Sequence, residues 1–443
     1  MEPYTYFTDE ISVPLEGRFR HMAILGATGS GKSSLLLRLA LGDVENGHGL
    51  CLIDPHSSLC NDLLNRLPPD LANRVAYIDF SDLDFAVGID FLSAEPHMVG
   101  PTADALVSAM HSVWHASWGP ELERTLRHAL IALIESGHNT LALLPRLLTD
   151  QAFRNRVVPR VKNPFTRAFF EMQYDAWSER LQAEKSASTI NKIEALLISE
   201  ATSTRLGQKP GTFKFEKALE IGQIVVVNLD HARLKSNVDT VAALIISRLL
   251  TAASKRTAND PNAIPVHLIV DEASRVGGLV LQDVLQDARK YRLSATIASQ
   301  AMANLDPAVQ DAILGNVHTL AAFSVAAKDA ELLAPRFDRL HEEFNPHALL
   351  DLAPGEAYLS IKGRDTCRVQ FPLPPSPHGR AQLFAVQSRN NFAKPLAYIQ
   401  AGINRTCSGR EHKRKVVKRS PKPRYLQDIR RQLDDISGRM RGP

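Results

Sequence analysis

This 443-residue chain reads as an α/β fold: a mostly parallel central sheet, an all-helical inserted domain, and a flexible basic C-terminal tail. Three observations predict it. A glycine-rich turn, Gly26-Ala27-Thr28-Gly29-Ser30-Gly31-Lys32-Ser33, sits between an apolar run and a helical one. Near-continuous apolar runs, such as Ile224 to Leu229 and Val266 to Val270, suit strands covered on both faces. Between these parts, from about 93 to 215, β-branched runs vanish and helical spacing takes over. The expected organisation is a sheet domain in two parts, 1–92 and 216–371, split by an all-α insertion at 93–215. A Pro-rich linker and basic tail occupy 372–443.

The turn comes first. It fits the phosphate-binding pattern G-x-x-x-x-G-K-[ST] at every constrained position. His21 to Leu25 supplies the strand before it, and Ser34 to Ala40 the helix after it. Glycines let the backbone close around phosphates, and the helix start offers unpaired N–H groups. Residues 26 to 34 (Gly26, Ala27, Thr28, Gly29, Ser30, Gly31, Lys32, Ser33 and Ser34) form the expected nucleotide site. Lys32 is expected to reach the β- and γ-phosphates, and Ser33 to ligate Mg²⁺.

Ahead of the loop, Thr5 to Val13 reads as an edge strand. After it, Leu50 to Asp54 is the second strand and Arg74 to Asp79 the third. Asp54, in LIDPHSSL, either borders the metal or caps a turn; His56 reads as a turn residue. In the insertion, Asp104 to Trp114, Trp118 to Ser136, Thr140 to Thr149, Pro164 to Ala183 and Leu181 to Ile198 have helical character. Trp114, Trp118 and Trp177 read as core anchors, and the basic cluster at Arg154, Arg156, Arg160 and Lys162 as a solvated surface.

The sheet resumes at Ile224. Val266 to Glu272 is a strand ending in two acids, the Walker B arrangement. Asp271 is expected to hold Mg²⁺, and Glu272 to orient or deprotonate the attacking water. A helix at Leu279 to Tyr291 leads to the strand Leu293 to Ser299. Gln300 then falls near the phosphate-loop edge, as a γ-phosphate contact or a helix cap. Leu320 to Val325 and Ala357 to Ile361 complete the strands. Pro372 to Gly379 is too rich in proline for a packed element. Arg405 to Arg424 is strongly basic, and Tyr425 to Met440 is a short helix or unstructured.

Composition narrows the class. A formal charge of +4 permits an acidic partner without demanding one. The four cysteines have no metal-finger spacing and suggest no disulfide scaffold. The start is too polar for a signal peptide, and no apolar run is long enough to cross a bilayer. A cytoplasmic location follows, with attachment at the inner membrane face only through a partner.

Together these motifs resemble the FtsK/HerA-like division of P-loop motor ATPases, with a RecA-like sheet. The strongest resemblance is to the cytoplasmic part of the conjugative coupling proteins of type IV secretion. GATGSGKS, LIDPHSSL, VDEASR (Val270 to Arg275) and LQDARKYRLSATIASQ (Leu285 to Gln300) carry it. Gly315-Asn316-Val317 and Ala330 to Leu333 also match, so the resemblance covers roughly 18–371. It departs where Ala288 and Ala273 replace a usual glycine and a usual aromatic, and where no membrane anchor precedes the loop.

The resemblance implies ATP rather than GTP as the nucleotide, with Mg²⁺, and a homo-hexameric ring with sites at subunit interfaces. It implies Arg289 as an arginine finger donated to a neighbour, Arg275 being the competing candidate, and Gln300 as the phosphate sensor. DNA is the implied cargo; a relaxase, a nuclease or secretion-system proteins are implied partners. Rival expectations are a secretion ATPase that moves polypeptide, a repair or defence ATPase paired with a nuclease, and a nucleotide-gated assembly protein. The last sits poorly with an intact Glu272, because a pure binder needs no water-positioning acid.

Overall fold

The computed structural model describes residues 4–8, 11–338 and 343–408. The expectations for the basic run beyond Ser408 and for Tyr425 to Met440 lie outside the described residues.

The strands in chain order are β1 (Tyr4–Tyr6), β2 (Ser12–Pro14), β3 (Met22–Leu25), β4 (Gly49–Asp54), β5 (Val75–Asp79), β6 (Phe85–Val87), β7 (Ile224–Asn228), β8 (Val266–Val270), β9 (Leu293–Ser299), β10 (Thr319–Ala322), β11 (Glu356–Ile361), β12 (Cys367–Gln370) and β13 (Ala393–Pro395). Nine of them form one sheet in the order β12-β11-β10-β3-β9-β8-β4-β7-β5. From β10 to β7 every neighbouring pair is parallel. β11 and β12 extend the sheet as an antiparallel hairpin. β3, β4, β7, β8 and β9 are buried at every residue, which explains their largely apolar character, with His267, Ser294 and Thr296 among the buried polar exceptions. The edge strand β12 instead exposes Arg368 and Gln370, polar groups that discourage further strand pairing.

Contacts divide the described chain into two compact units. The first holds residues up to Tyr77, Phe215–His231 and Val238–Ala381, and so most of the sheet. The second holds Ile78–Lys214, Ala232–Asn237 and the chain from Gln382 onward. Apart from the small antiparallel pair β6–β13, it is helical. Its main helices are Val99–Trp114, Pro120–Glu135 and Glu179–Leu197. Pro120 takes the first turn of its helix, where a missing N–H costs nothing.

Several elements differ from the sequence reading. The N-terminal edge strand is two short strands, with Thr5 opposite Val13. β12 was not anticipated, although Cys367-Arg368-Val369-Gln370 alternates with the period of a half-buried strand. The helix expected over Pro164 to Ala183 is interrupted: Pro164–Ala168 runs into a π-helical turn, Phe169–Tyr174, and a new helix starts at Glu179. Ser178 caps that new start by accepting from the Leu181 N–H. Beyond the linker the chain is not wholly tail, because Ala381–Phe392 and Leu396–Cys407 are helical. Leu396 and Ile399 of the last helix pack on Ala86.

The tryptophans are not core anchors. Trp114, Trp118 and Trp177 are all half-buried, and Phe169, Phe170 and Tyr174 fill the core of the helical unit. The Trp118 indole N–H donates to Glu123 Oε2 at 2.9 Å, which suits a ring at the boundary with water. Arg154 is no surface residue either. Its guanidinium is buried, pairs with Asp175 at 2.6 Å and lies 4.9 Å over the Tyr174 ring. Arg156, Arg160 and Lys162 are exposed.

Candidate functional site at the C-terminal edge of the sheet

Strand order brings the motifs together. β9 lies between β3, which leads into the glycine-rich loop, and β8, which ends in the two acids. Leu25 pairs with Ser299, and Val270 with Ile297. The loop, Gln300 and the Asp271-Glu272 pair therefore leave one edge on three adjacent strands. Ligands of open α/β sheets sit beyond this edge.

The loop is shaped by backbone contacts from segments far away in sequence. Its Gly26 N–H donates to Ser299 O at 3.3 Å, and its Ala27 N–H to Ser324 O at 2.7 Å. The Gly355 N–H donates to Ser30 O at 2.8 Å. Gly31 has φ +118°, and a Cβ there would come within 3.0 Å of the Gly355 backbone and the Phe323 ring. Only glycine suits that position. Ala27, Thr28, Gly29 and Ser33 are exposed, so the loop opens to solvent. The helix Lys32–Glu45 starts at its end, with the unpaired N–H groups of its first turn.

Lys32 is buried, and its Nζ donates to Gly26 O at 2.6 Å and Ala27 O at 3.0 Å. The ammonium is thus folded onto its own loop. Burial holds it below the usual lysine range, while the charges of Asp271 and Glu272 pull it back up. Those couplings put the two acids within electrostatic reach of the lysine. Asp271 is pushed up to about 6, by burial first and then by Asp54 and Glu272, with Lys32 opposing. Three carboxylates crowd this strand end, an arrangement that favours a cation.

Asp54 itself is resolved in favour of the turn. Its Oδ1 accepts from the His56 N–H at 2.7 Å and its Oδ2 from the Cys60 N–H at 3.0 Å. Glu272 has φ +54°, a left-handed conformation unusual for a side-chain-bearing residue. Ser57 and Asp230, after β4 and β7, share that region at φ +70° and +45°.

Two buried atoms test whether a phosphate fits the loop. Ser30 Oγ is buried without a hydrogen-bond partner. The Lys32 ammonium is spent on two carbonyls of its own loop. A phosphate would satisfy both, so the donor set fits a nucleotide.

Arg289 lies elsewhere. It belongs to the short 3-10 helix Ala288–Tyr291 before β9, at the opposite edge of the sheet. β9 has seven residues, so its two ends are roughly 20 Å apart. Arg289 is exposed, and its charge acts on His21 at the start of β3. Arg275 instead follows β8 on the loop's own edge and acts on Asp239.

The opposite edge holds a cluster that sequence reading missed. Arg18 pairs with Asp43 at 3.1 Å and donates to Thr296 Oγ1 at 2.5 Å. His48 Nδ1 lies 3.0 Å from His267 Nε2, and His267 Nδ1 lies 2.6 Å from Ser294 Oγ. Asp43, His48 and His267 are near enough together to bind a metal ion. Each of the three already has a side-chain partner in the cluster: Arg18 for Asp43, and His48 and His267 for one another. The sequence signal was weak, because each group stands alone in its own element.

Residues 6–251 match the family model described as helicase HerA, central domain. No curated protein matches the chain. The plasmid coupling protein TrwB in complex with the GTP analogue GDPNP is similar in structure, with a TM-score of 0.64 and 17% identity, over 83% of this chain and 89% of that one. TrwB in complex with ADP and Mg²⁺ gives 0.63 and 18%, over 84% and 90%. VirB4 of Thermoanaerobacter pseudethanolicus gives 0.53 and 16%, over 85% and 97%. At such identities the likeness is one of fold, a mostly parallel α/β sheet carrying a glycine-rich loop. With more than half of its length matched by that family model, the chain belongs to the HerA helicase central-domain family.

Proposed function

We propose that the protein is an ATP-driven motor that moves DNA through a ring of identical subunits. One observation carries the reading: β9 separates β3 from β8, so the loop, Gln300 and the Asp271-Glu272 pair emerge side by side. In it, residues 26 to 34 cradle the phosphates, and Lys32 turns from its own carbonyls to the β- and γ-phosphates. Ser33 and Asp271 are the residues that hold Mg²⁺, which supplies charge neutralisation on the phosphates. Glu272 orients the attacking water and accepts its proton. Gln300 hydrogen-bonds the γ-phosphate or that water.

Arg289 completes the site of a neighbouring subunit. Its position at the far edge supports this role, since a side chain cannot span a strand of seven residues back to its own loop. A guanidinium from a neighbour neutralises the phosphoryl group in flight, so turnover depends on assembly. A similar structure supports the nucleotide and the metal: TrwB has been captured with ADP and Mg²⁺. Among the described residues, no helix is long and apolar enough to cross a membrane. Grip on a phosphate backbone needs no base readout, so little sequence preference is expected.

Steady-state ATPase rates with and without duplex and single-stranded DNA test the proposal. Turnover stimulated by DNA and lost at high salt is expected. Lys32→Ala should remove turnover with the circular dichroism spectrum unchanged. Turnover indifferent to DNA would leave an ATPase with another cargo, and turnover surviving in Lys32→Ala would overturn the site.

A further inference from the structure

The turn after β8 holds one more side chain against the proposed reacting groups. Glu272 takes a left-handed backbone conformation, and Ala273–Arg275 follow as a single 3-10 turn. The turn is pinned in three ways. The Arg275 N–H donates to Glu272 O at 2.9 Å, the Val276 N–H donates to Ala273 O at 3.0 Å, and Ala273 is buried. This reversal carries Ser274 back over the preceding acid, where its Oγ donates to Glu272 Oε1 at 2.5 Å.

We infer that Ser274 is a positioning residue for Glu272, holding the carboxylate toward the phosphate loop so that Oε2 is left to engage water. This rests on the ATPase reading above. Glu272 has three rotatable side-chain bonds and stands exposed enough to swing into solvent. Its charge is nevertheless felt at Lys32, which keeps the carboxylate within electrostatic reach of the loop. A hydroxyl donor suits the task. It binds one carboxylate oxygen firmly because the acceptor is charged, and it leaves the second oxygen as a base. The effect of such a tether is geometric, and misplacement of a general base by a fraction of an ångström lowers the rate without weakening nucleotide binding. A serine that merely capped the turn would act on stability and would ignore whether residue 272 is an acid.

The test is a set of steady-state ATPase measurements on the full chain, with affinity for a fluorescent ATP analogue measured in parallel. Ser274→Ala should lower kcat roughly tenfold or more, with KM and analogue affinity within about twofold of the parent. Ser274→Thr keeps the hydroxyl and should recover most of the lost turnover. In a Glu272→Gln background, Ser274→Ala should cost nothing further, because the group it positions is already gone. Ser274→Ala with parental kcat, or an equal loss in both backgrounds, overturns the inference while leaving the ATPase reading intact. A parent chain that binds the analogue but hydrolyses no ATP overturns both.

Discussion

The two edges of the central sheet contain the same kinds of residue and use them in opposite ways. At the C-terminal edge, Lys32 sits on carbonyls of its own loop, Ser30 Oγ has no partner, and burial with the charges of Asp54 and Glu272 raises the pKa of Asp271. At the N-terminal edge, Arg18, Asp43, His48, His267, Ser294 and Thr296 bond to one another, with only Arg18 Nε left without a partner. The helix Lys32–Glu45 joins the two, with the loop at its start and Asp43 near its end. What separates the edges is access: the loop with its unpartnered Ser30 Oγ opens to solvent, whereas the paired groups of the other edge are buried and hold the fold together. A search for metal-binding residue types alone would choose the wrong edge.

The largest expected effect would separate Arg289 from both roles. Arg289→Ala should lower turnover by about a thousandfold, as loss of an arginine finger does elsewhere. Its urea midpoint should match the parent, since the side chain is exposed. Mixing Arg289→Ala with Lys32→Ala subunits should restore part of the activity, because each supplies what the other lacks. No recovery on mixing, with ring assembly intact, would return Arg289 to the surface and raise Arg275 in its place.

Next comes the buried network itself. Asp43→Ala strands the Arg18 guanidinium in a dry site and should cost about 3–5 kcal/mol in urea unfolding. Nucleotide affinity of the molecules that remain folded should hardly change. Treating the parent with a chelator should leave its melting temperature where it was. A marked drop would make the three ring and carboxylate groups a metal centre and break the contrast between the edges.

The smallest effect concerns pH. His21 Nδ1 accepts from the Ala295 N–H, so the neutral ring is the one that fits. Burial first, then Arg18 and Arg289, take its pKa from 6.5 to about 4. A histidine lowered on folding contributes stability that is complete above pH 6.5 and is lost as pH falls through 4. For His21 this amounts to about 3 kcal/mol. His48 and His267 are shifted the same way. Asp43 works against them: burial raises it to about 6 against the opposing pull of Arg18, so its contribution is present in acid and lost as pH rises through that value. The histidines outnumber it, and the urea midpoint should fall between pH 6.5 and 4. A midpoint that held steady over that range would mean that His21 titrates outside its network.

Much of this was legible beforehand because it is local. A glycine-rich loop needs its glycines in one unbroken stretch, and a strand covered on both faces must be apolar along its length, so Gly26 to Ser33 and Val266 to Glu272 announce themselves. The helical insertion was visible through its period for the same reason. The tryptophans misled, since ring size says nothing about which side chains occupy the centre of a bundle. β12 was overlooked because four alternating residues at a sheet edge carry little hydrophobic signal. The sequence determined the parts of the glycine-rich loop and the acids that end β8. Only the tertiary structure decided that β9 comes between them, that Asp54 is tied up in a turn, that Ser274 lies on Glu272, and that Arg289 ends up a strand's length from its own loop. The place of β9 and of Arg289 depends on strand order, which joins residues distant in sequence and is not encoded in the spacing of neighbours; the Asp54 and Ser274 bonds are short-range, but they form only in the particular backbone turn that the folded sheet edge imposes.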